Sequence, residues 1–233
     1  MKRQFDPGEP ELMDRPDATP AELEAALTSL RGLNRWFGSY RLIMRFVRRW
    51  MRRGDRLRIA DLATGSADIP RLVIEHARSI GARVDIDAVD FQPTTIETAR
   101  RLSSANPEIT CHCQDVLKFG GAGAYDIVLC SLALHHFSDS DAVQLLRRCR
   151  ELSRRYVLVT DLRRGWLASL GVDLLTLLIF RDPMTRSDAR VSAQRAFTLP
   201  ELRELARRAG WERFGSGKFP LARHAIWLEP STS

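Results

Sequence analysis

The feature that most limits the fold is an alternation of short apolar runs and amphipathic stretches between residues 57 and 161. The apolar runs have the length of strands, and they predict strands at 57–63, 84–90, 109–115, 125–131 and 156–161. Helical patterns lie between most of them, at 66–81, 93–104 and 138–152. Strands that alternate with helices form a parallel sheet with helices on both faces. We therefore expect an α/β, doubly wound, Rossmann-like fold.

The C-terminal part departs from this alternation. The apolar stretch 166–180 predicts a buried helix, because a bilayer-spanning helix needs about 20 apolar residues. The polar segment 181–197 predicts a long loop, and 199–210 predicts a helix. Two strands joined through Pro220 follow, and they must pair antiparallel because no helix separates them. The result is a seven-stranded sheet with an antiparallel last strand.

The same patterns divide the chain into parts. Residues 1–19 are polar and proline-rich, which predicts a flexible tail. Residues 20–54 predict an N-terminal helical cap, with Thr19 capping a helix that opens on Pro20. Residues 55–233 form the ligand-binding domain, with a lid insertion at about 163–197.

Composition excludes several classes of protein. The N-terminus lacks the apolar run of a secretory signal, so we expect a cytoplasmic protein without a transmembrane segment. The four cysteines show no disulfide pattern, and Cys111 and Cys113 have no second ligand pair, so we expect no metal.

The net charge of +7 comes from arginine rather than lysine, and arginines are densest between residues 41 and 58. Such a cluster is typical of proteins that bind nucleic acid, a membrane surface or an acidic carrier protein. A solvated helix face explains it more simply, and we expect no nucleic-acid partner.

The first strand runs into the segment DLATGSAD, Asp61 to Asp68. A loop between a first strand and a first helix lies at the carboxyl edge of the sheet, where doubly wound proteins bind ligands. Gly65 permits a positive φ angle and close approach of a ligand. The loop lacks the G-x-G-x-x-G pattern that seats a pyrophosphate, and Asp61 and Asp68 would repel one. These carboxylates suit an ammonium or sulfonium group instead.

Acidic residues also end the next two predicted strands. Asp90 is placed to accept hydrogen bonds from both hydroxyls of a ribose, and Phe91 to lie against an adenine face. Asp115 is placed to accept from an adenine amino group. One such residue is often only a turn former, but three at consecutive strand ends, counting Asp61, favour a nucleoside with a cationic group.

These motifs resemble the class I S-adenosylmethionine-dependent methyltransferases over residues 57 to 228. DLATGSAD is similar to the family's D-x-G-x-G-x-G motif, with Ala63 and Ala67 in place of two glycines, where we expect φ to be negative. The resemblance implies S-adenosylmethionine (SAM) as cofactor and S-adenosylhomocysteine (SAH) as product. It also implies cofactor contacts from Thr64, Val116 and Ser131.

The segment after strand four, Ser131 to Phe137, lacks the proline and amide that follow this strand in enzymes that methylate nucleic-acid bases. It resembles the small-molecule branch, which includes quinone and polyketide-tailoring enzymes. We expect O-methylation of a small, largely apolar or aromatic metabolite in natural product biosynthesis. Alternatives are C-methylation of a quinone-like ring, RNA methylation, or a SAM-binding subunit without activity. The protein is expected to be a monomer or homodimer.

Two adjacent histidines, His135 and His136, follow strand four and are candidates for a general base. Only one can point inward, and His136 is the first choice because it is nearer the helix expected to form the wall of the pocket. The alternative is that both only pack. Asp161, at the end of strand five, is expected to orient a histidine, touch substrate or cap a helix.

The extra elements around the cofactor supply candidate substrate contacts. Aromatic and other apolar wall residues are Trp36, Phe37, Tyr40, Trp166, Phe180 and Met184. Arginines that would meet an acidic group on the substrate are Arg181, Arg186 and Arg195.

Overall fold

A computed structural model describes residues 3–6, 19–36, 38–165 and 183–230 of the chain. Its strands are β1 Arg56–Leu62, β2 Arg83–Asp90, β3 Ile109–Cys113, β4 Tyr125–Ser131, β5 Ser153–Leu162, β6 Gly215–Phe219 and β7 Arg223–Leu228. Its α-helices are α1 Pro20–Trp36, α2 Ser39–Trp50, α3 Asp68–Ile80, α4 Pro93–Leu102, α5 Asp139–Leu152, α6 Pro183–Arg195 and α7 Leu199–Arg208.

The strands form one seven-stranded sheet in the order β3-β2-β1-β4-β5-β7-β6. Strands β1 to β5 pair in parallel, whereas β7 runs antiparallel to both β5 and β6. The predicted fold class is confirmed. The strand order reverses between β1 and β4, and ligands of doubly wound sheets bind at the carboxyl ends of strands at this point.

Helices cover both faces of the sheet. On one face, α5 and α7 pack over β4, and Leu146 and Leu205 belong to a buried cluster with Val128. On the other face, α2 and α3 pack over β1, with Phe46 and Ile74 in a cluster with Ile59. The sheet is therefore buried on both faces, and the loops at its carboxyl edge project from this core.

Helix α2 is strongly amphipathic. Its predicted stripe of Leu42, Phe46 and Trp50 is buried against the sheet. The opposite face exposes Arg41, Arg45, Arg48 and Arg49 of the basic cluster, and Arg52 and Arg53, which follow the helix, are also exposed. No helix in the described part of the chain is long and apolar enough to cross a bilayer.

The predicted loop at 181–197 is wrong, because Pro183–Arg195 form the helix α6. The helix buries small and polar side chains, including Asp188, Ser192 and Arg195. It therefore lacks the apolar periodicity from which a helix is predicted. The predicted apolar helix at 166–180 lies outside the described residues.

Candidate active site

The loop after β1 has an unusual backbone. Ala63, Gly65 and Ala67 all have positive φ angles, of 55°, 56° and 58°. The expectation that φ is negative at the two alanines is therefore wrong. The loop adopts the left-handed turns that glycines permit, although alanine in that region is disfavoured by about 1–2 kcal/mol. Such strain is retained where the surrounding structure holds it, typically at a binding site.

Gly65 connects this loop to the end of β2. Its amide donates a hydrogen bond of 3.0 Å to Oδ2 of Asp90. The other carboxylate oxygen, Oδ1, accepts a hydrogen bond from the Gln92 amide at 3.2 Å. A Cβ atom added to Gly65 would meet nothing within 4 Å, so open space borders the glycine. Asp90 therefore connects the loop after β1 to the segment that follows β2.

Asp61 lies beneath the loop and is only 1% exposed. The Thr64 hydroxyl donates to its Oδ2 at 2.6 Å. Burial raises the pKa of Asp61 to about 7, the charges of Asp68 and Asp90 add to the rise, and the Thr64 hydrogen bond opposes it. A cation brought to this end of the loop would favour the ionised carboxylate.

Asp68, at the start of α3, is engaged by three side chains. Its Oδ2 accepts from the Tyr40 hydroxyl at 2.7 Å, which ties α2 to the loop. Its Oδ1 accepts from Ser66 at 2.6 Å and from Arg71 at 2.9 Å. Burial, followed by the Asp68 charge, raises the pKa of Tyr40 far above its ordinary value. The sequence predicts Tyr40 as a wall of the substrate pocket, and the structure places its hydroxyl against Asp68.

The expected adenine contacts lie at the ends of β2 and β3. Phe91 is 63% exposed, so its ring face is accessible. Strand β3 ends at Cys113, two residues before the predicted end, and Asp115 begins a turn by accepting from the Leu117 amide at 2.9 Å. Val116 is buried in the core cluster. Asp115 is thus held on this turn, with Lys118 Nζ at 3.7 Å from its Oδ2, next to the buried Val116.

The two histidines occupy a single 3-10 turn, Leu134–His136, that follows β4. His135 is only 3% exposed, and its Nδ1 lies 2.6 Å from Oδ1 of Asp161. The His135 amide also donates to Oδ2 of Asp161, at 2.9 Å. His136 is half-buried, and its ring centroid is 4.3 Å from that of His135. The structure thus pairs Asp161 with His135 and not with the histidine preferred from sequence.

Asp161 is completely buried at the end of β5. Burial pushes its pKa upward, but the charge and hydrogen bond of His135 and the hydrogen bond from the Leu162 amide together hold it below the ordinary value. The carboxylate is therefore ionised at neutral pH and can only accept hydrogen bonds. It follows that His135 carries its proton on Nδ1 when neutral, with the lone pair on Nε2.

The neighbouring residues fix the position of this turn. Ser131, the last residue of β4, accepts a hydrogen bond from the Thr160 hydroxyl at 3.1 Å. Leu132 has a φ of 55°, which turns the chain sharply out of the strand. This left-handed residue, together with the 3-10 turn, directs His135 inward toward β5.

Arg3 holds the same turn from the other side. Its guanidinium donates to the carbonyls of His135 at 3.2 Å, Phe137 at 2.7 Å and Arg195 at 2.6 Å. It also contacts the Asp139 carboxylate at 2.7 Å. Residues 3–6, which belong to the predicted flexible tail, therefore connect the histidine turn to the end of α6.

The remaining predicted substrate residues are scattered. Trp36 is 69% exposed at the end of α1, and Met184 lies in α6. Arg195 is buried and donates to the Asp6 carbonyl at 3.0 Å. Arg186 lies within α6. Phe37, Trp166, Phe180 and Arg181 lie outside the described residues.

Some residues near this site were not predicted. Arg71 contacts Asp68, His224 lies opposite Asp161, and Arg3 contacts the carbonyl of His135, although none of the three lies in a motif. On β3, His112 Nε2 lies 2.7 Å from Oδ1 of Asp87. Within the described residues, no group of three or more His, Cys, Asp or Glu side chains is arranged to hold a metal ion.

Comparison with known proteins agrees with this geometry. Residues 59–155 match the family model described as a methyltransferase domain. A SAM-dependent methyltransferase from Aquifex aeolicus has a similar structure, with a TM-score of 0.64 and 11% identity over 91% of this chain and 98% of that one. No curated protein sequence matches the chain significantly.

Two further solved structures have the same fold. Magnesium protoporphyrin IX methyltransferase from Synechocystis, solved with SAH, gives a TM-score of 0.57 and 15% identity over 82% of each chain. Human N-acetylserotonin methyltransferase, solved with SAM, gives 0.55 and 18% over 75% of this chain and 48% of that one. The chain thus contains a region, residues 59–155, that matches a methyltransferase domain, and its fold is that of solved SAM-dependent methyltransferases.

Proposed function

We propose that the protein transfers the methyl group of SAM to a hydroxyl of a small, largely apolar or aromatic molecule. The observation that carries the proposal is the buried pair of His135 and Asp161 at the carboxyl edge of β4 and β5, beside the loop of β1. A hydroxyl acceptor must lose a proton, and a histidine oriented by a carboxylate is suited to remove it.

The residues around Gly65 fit the cofactor. Asp90 would accept the ribose hydroxyls, Phe91 would lie on the adenine face and Asp115 would accept from the adenine amino group. Asp61, whose ionised form is stabilised by a nearby cation, suits the positive end of SAM. SAM supplies a methyl group that is already activated by its sulfonium, so the protein mainly has to align the acceptor.

The acid–base role goes to His135 in this proposal, in place of His136. Asp161 fixes the Nδ1–H tautomer of His135, so Nε2 is the nitrogen able to take a proton. The ionised Asp161 then stabilises the positive imidazolium that results. His136, half-buried on the same turn, is a candidate for packing against the acceptor.

A small-molecule acceptor is favoured over a nucleic-acid base by the segment from Ser131 to Phe137, which contains neither proline nor an amide. Structures of similar fold include methyltransferases of magnesium protoporphyrin IX and of N-acetylserotonin, which are both small molecules. We place the reaction in natural product biosynthesis on the basis of this resemblance.

Isotopically labelled SAM, incubated with the protein and a metabolite extract of its source, tests the proposal. We expect one labelled small molecule with an O-methyl group, recognised by its carbon chemical shift and acid lability. A C-methyl product would move the reaction to a ring carbon. SAM binding without any labelled product would contradict an enzymatic role, and labelled RNA would contradict the small-molecule acceptor.

A further inference from the structure

His224 of β7 is a completely buried histidine whose two ring nitrogens both lack a hydrogen-bond partner in the described part of the chain. Burial lowers the pKa of His224 to about 4, and although Asp161 opposes this, Arg163, Arg223 and His135 add to it. The ring is therefore neutral, with one N–H donor and one acceptor nitrogen. Buried polar atoms are nearly always paired, so two unpaired nitrogens on one ring point to a missing ligand.

Arg163, just after β5, also has a buried side-chain nitrogen, Nε, without a hydrogen-bond partner in the described part of the chain. Its amide donates to the Ala222 carbonyl at 2.8 Å, which extends the pairing of β5 with β7. The neighbouring buried arginines are bonded differently, because Arg164 donates to Ala196 and Glu201, and Arg223 donates to Ser39.

Strand register places these two groups beside His135 and Asp161. Asp161 and His224 are directly opposite each other on β5 and β7, so their side chains share one face of the sheet. Arg163 follows Asp161 by two residues and projects from the same face. His135 reaches that face through its bond to Asp161. The unpaired Nε of Arg163 and the unpaired ring of His224 thus adjoin the proposed base.

The chemistry of the two groups selects the ligand. A guanidinium offers only donors and a positive charge, and a neutral imidazole adds one further donor. An apolar group would leave all of these atoms unpaired, whereas an oxygen bearing negative charge would accept from the Arg163 Nε–H and from the one N–H of the His224 ring. Asp161 does not do so, since its oxygens accept from His135 and Leu162.

We propose that Arg163 and His224 form a subsite for an acidic oxygen of the methyl acceptor, either a carboxylate or an ionised enol or phenol, next to His135. The inference rests on the proposed methyl transfer and adds the class of acceptor. The acceptor is then an acid whose charged oxygen is held by Arg163 while the reacting hydroxyl faces His135.

Variants of His224 separate a ligand site from a structural role. His224→Leu removes two unpaired polar atoms at similar volume, so we expect a higher unfolding midpoint in urea. The same variant should raise the acceptor KM by about tenfold to a hundredfold, the value of a hydrogen bond to a charged group. SAM affinity should not change. His224→Gln, which keeps a donor and an acceptor, should recover part of the loss.

His76 provides a matched control. Its Nε2 is also buried and unpaired within the described residues, but it belongs to helix α3 and not to the strands that carry Asp161 and His224. His76→Leu should leave acceptor KM unchanged. A lower midpoint for His224→Leu with unchanged activity would show that the ring is structural. A higher midpoint with unchanged KM would show that the ring is unpaired but takes no ligand, and either result overturns the proposal.

Probe binding tests the subsite without knowledge of the acceptor. The SAH-loaded protein is titrated with acetate, with neutral acetamide and with 4-nitrophenol, whose ionised form is visible by absorbance. We expect saturable NMR shifts of the Arg163 Nε and His224 signals with an oxyanion, and none with acetamide. A response to acetate alone assigns a carboxylate, and a lowered pKa of bound 4-nitrophenol assigns an enol or phenol.

The Arg163→Gln variant should lose both responses, and Arg163→Lys should retain a weaker one. Absence of any saturable response in the parent overturns the subsite. If the parent binds these probes but labels no metabolite from SAM, the methyl-transfer proposal fails while the anion subsite stands. The two proposals are therefore tested separately.

Discussion

Nδ1 of His135 lies 2.6 Å from Oδ1 of Asp161, and both side chains are buried where β4 and β5 end. Asp161 also accepts from the His135 amide, so one carboxylate fixes both the ring and the backbone of the turn. The arrangement orients the ring of His135, which we propose as the base.

Asp90→Ala is expected to weaken SAM binding by about tenfold to a hundredfold, because it removes the proposed acceptor of the ribose hydroxyls. Calorimetry on the folded variant measures the loss. Asp85→Ala, an exposed acid on the same strand, serves as control and should bind like the parent. Unchanged affinity in Asp90→Ala would remove Asp90 from the site.

Substitutions at Ala63 and Gly65 test the left-handed backbone of the loop, the first through stability and the second through SAM affinity. Ala63→Gly relieves a left-handed alanine, so we expect the free energy of unfolding to rise by up to about 1 kcal/mol in urea denaturation. Gly65→Val strains the backbone and fills the open space beside Asp90, so SAM affinity should fall.

Ala25→Gly, in the exposed interior of α1, is the control and should lower stability by about 1 kcal/mol. A loss of stability in Ala63→Gly as large as in Ala25→Gly would contradict the assigned strain. Parent-like SAM affinity in Gly65→Val would show that no ligand approaches this glycine.

The raised pKa of Asp61 predicts that SAM binding depends on pH. Its pKa of about 7 in the folded protein means that it takes up a proton as the pH falls through neutrality. SAM affinity should then fall by up to about tenfold per pH unit, because the protonated acid no longer attracts a cation.

The effect on stability has the opposite sign. The folded-state pKa of Asp61 lies above its unfolded value of 3.8, so the ligand-free protein loses stability as the pH rises between those values. Asp61→Asn should flatten both dependences. Calorimetry and urea denaturation across this pH range measure them, and an unchanged slope in the variant would assign the proton to another group.

Arg3 should control the rigidity of the histidine turn. Arg3→Ala removes its bonds to the carbonyls of His135, Phe137 and Arg195, so amide exchange in residues 134–139 should accelerate by about tenfold to a hundredfold. Arg3→Lys should not restore protection, since one ammonium cannot reach three carbonyls. Arg207→Ala, at an exposed ion pair, is the control. Equal exchange in both alanine variants would mean that the contacts of Arg3 do not hold the turn.

The sheet was predictable because its strands are continuous apolar runs separated by amphipathic helices. Helix α6 could not be predicted in the same way, because the polar residues Asp188 and Ser192 occupy buried positions where an apolar stripe would be expected. The positive φ angles of Ala63 and Ala67 were also missed, because alanine gives no indication of a left-handed backbone.

Among the site residues, the strand-end acids follow from the parallel topology, whose strand ends meet at one edge. The pairing of Asp161 with His135 depends on Leu132, whose left-handed φ decides which of two adjacent histidines faces inward. His224 depends on the register between β5 and β7, and a one-residue shift would turn its ring to the other face.

The pH–rate profile of His135→Asn, beside the parent and His136→Ala, tests the central claim most directly once the acceptor is identified. Asparagine keeps a donor for Asp161, so the fold and SAM affinity should be retained. We expect kcat to fall by about a hundredfold to ten-thousandfold, and the defect to shrink at high pH, where the acceptor hydroxyl ionises unaided. His136→Ala should stay close to the parent. Parent-like kcat in His135→Asn at all pH values, or a defect confined to His136→Ala, would contradict base catalysis by His135.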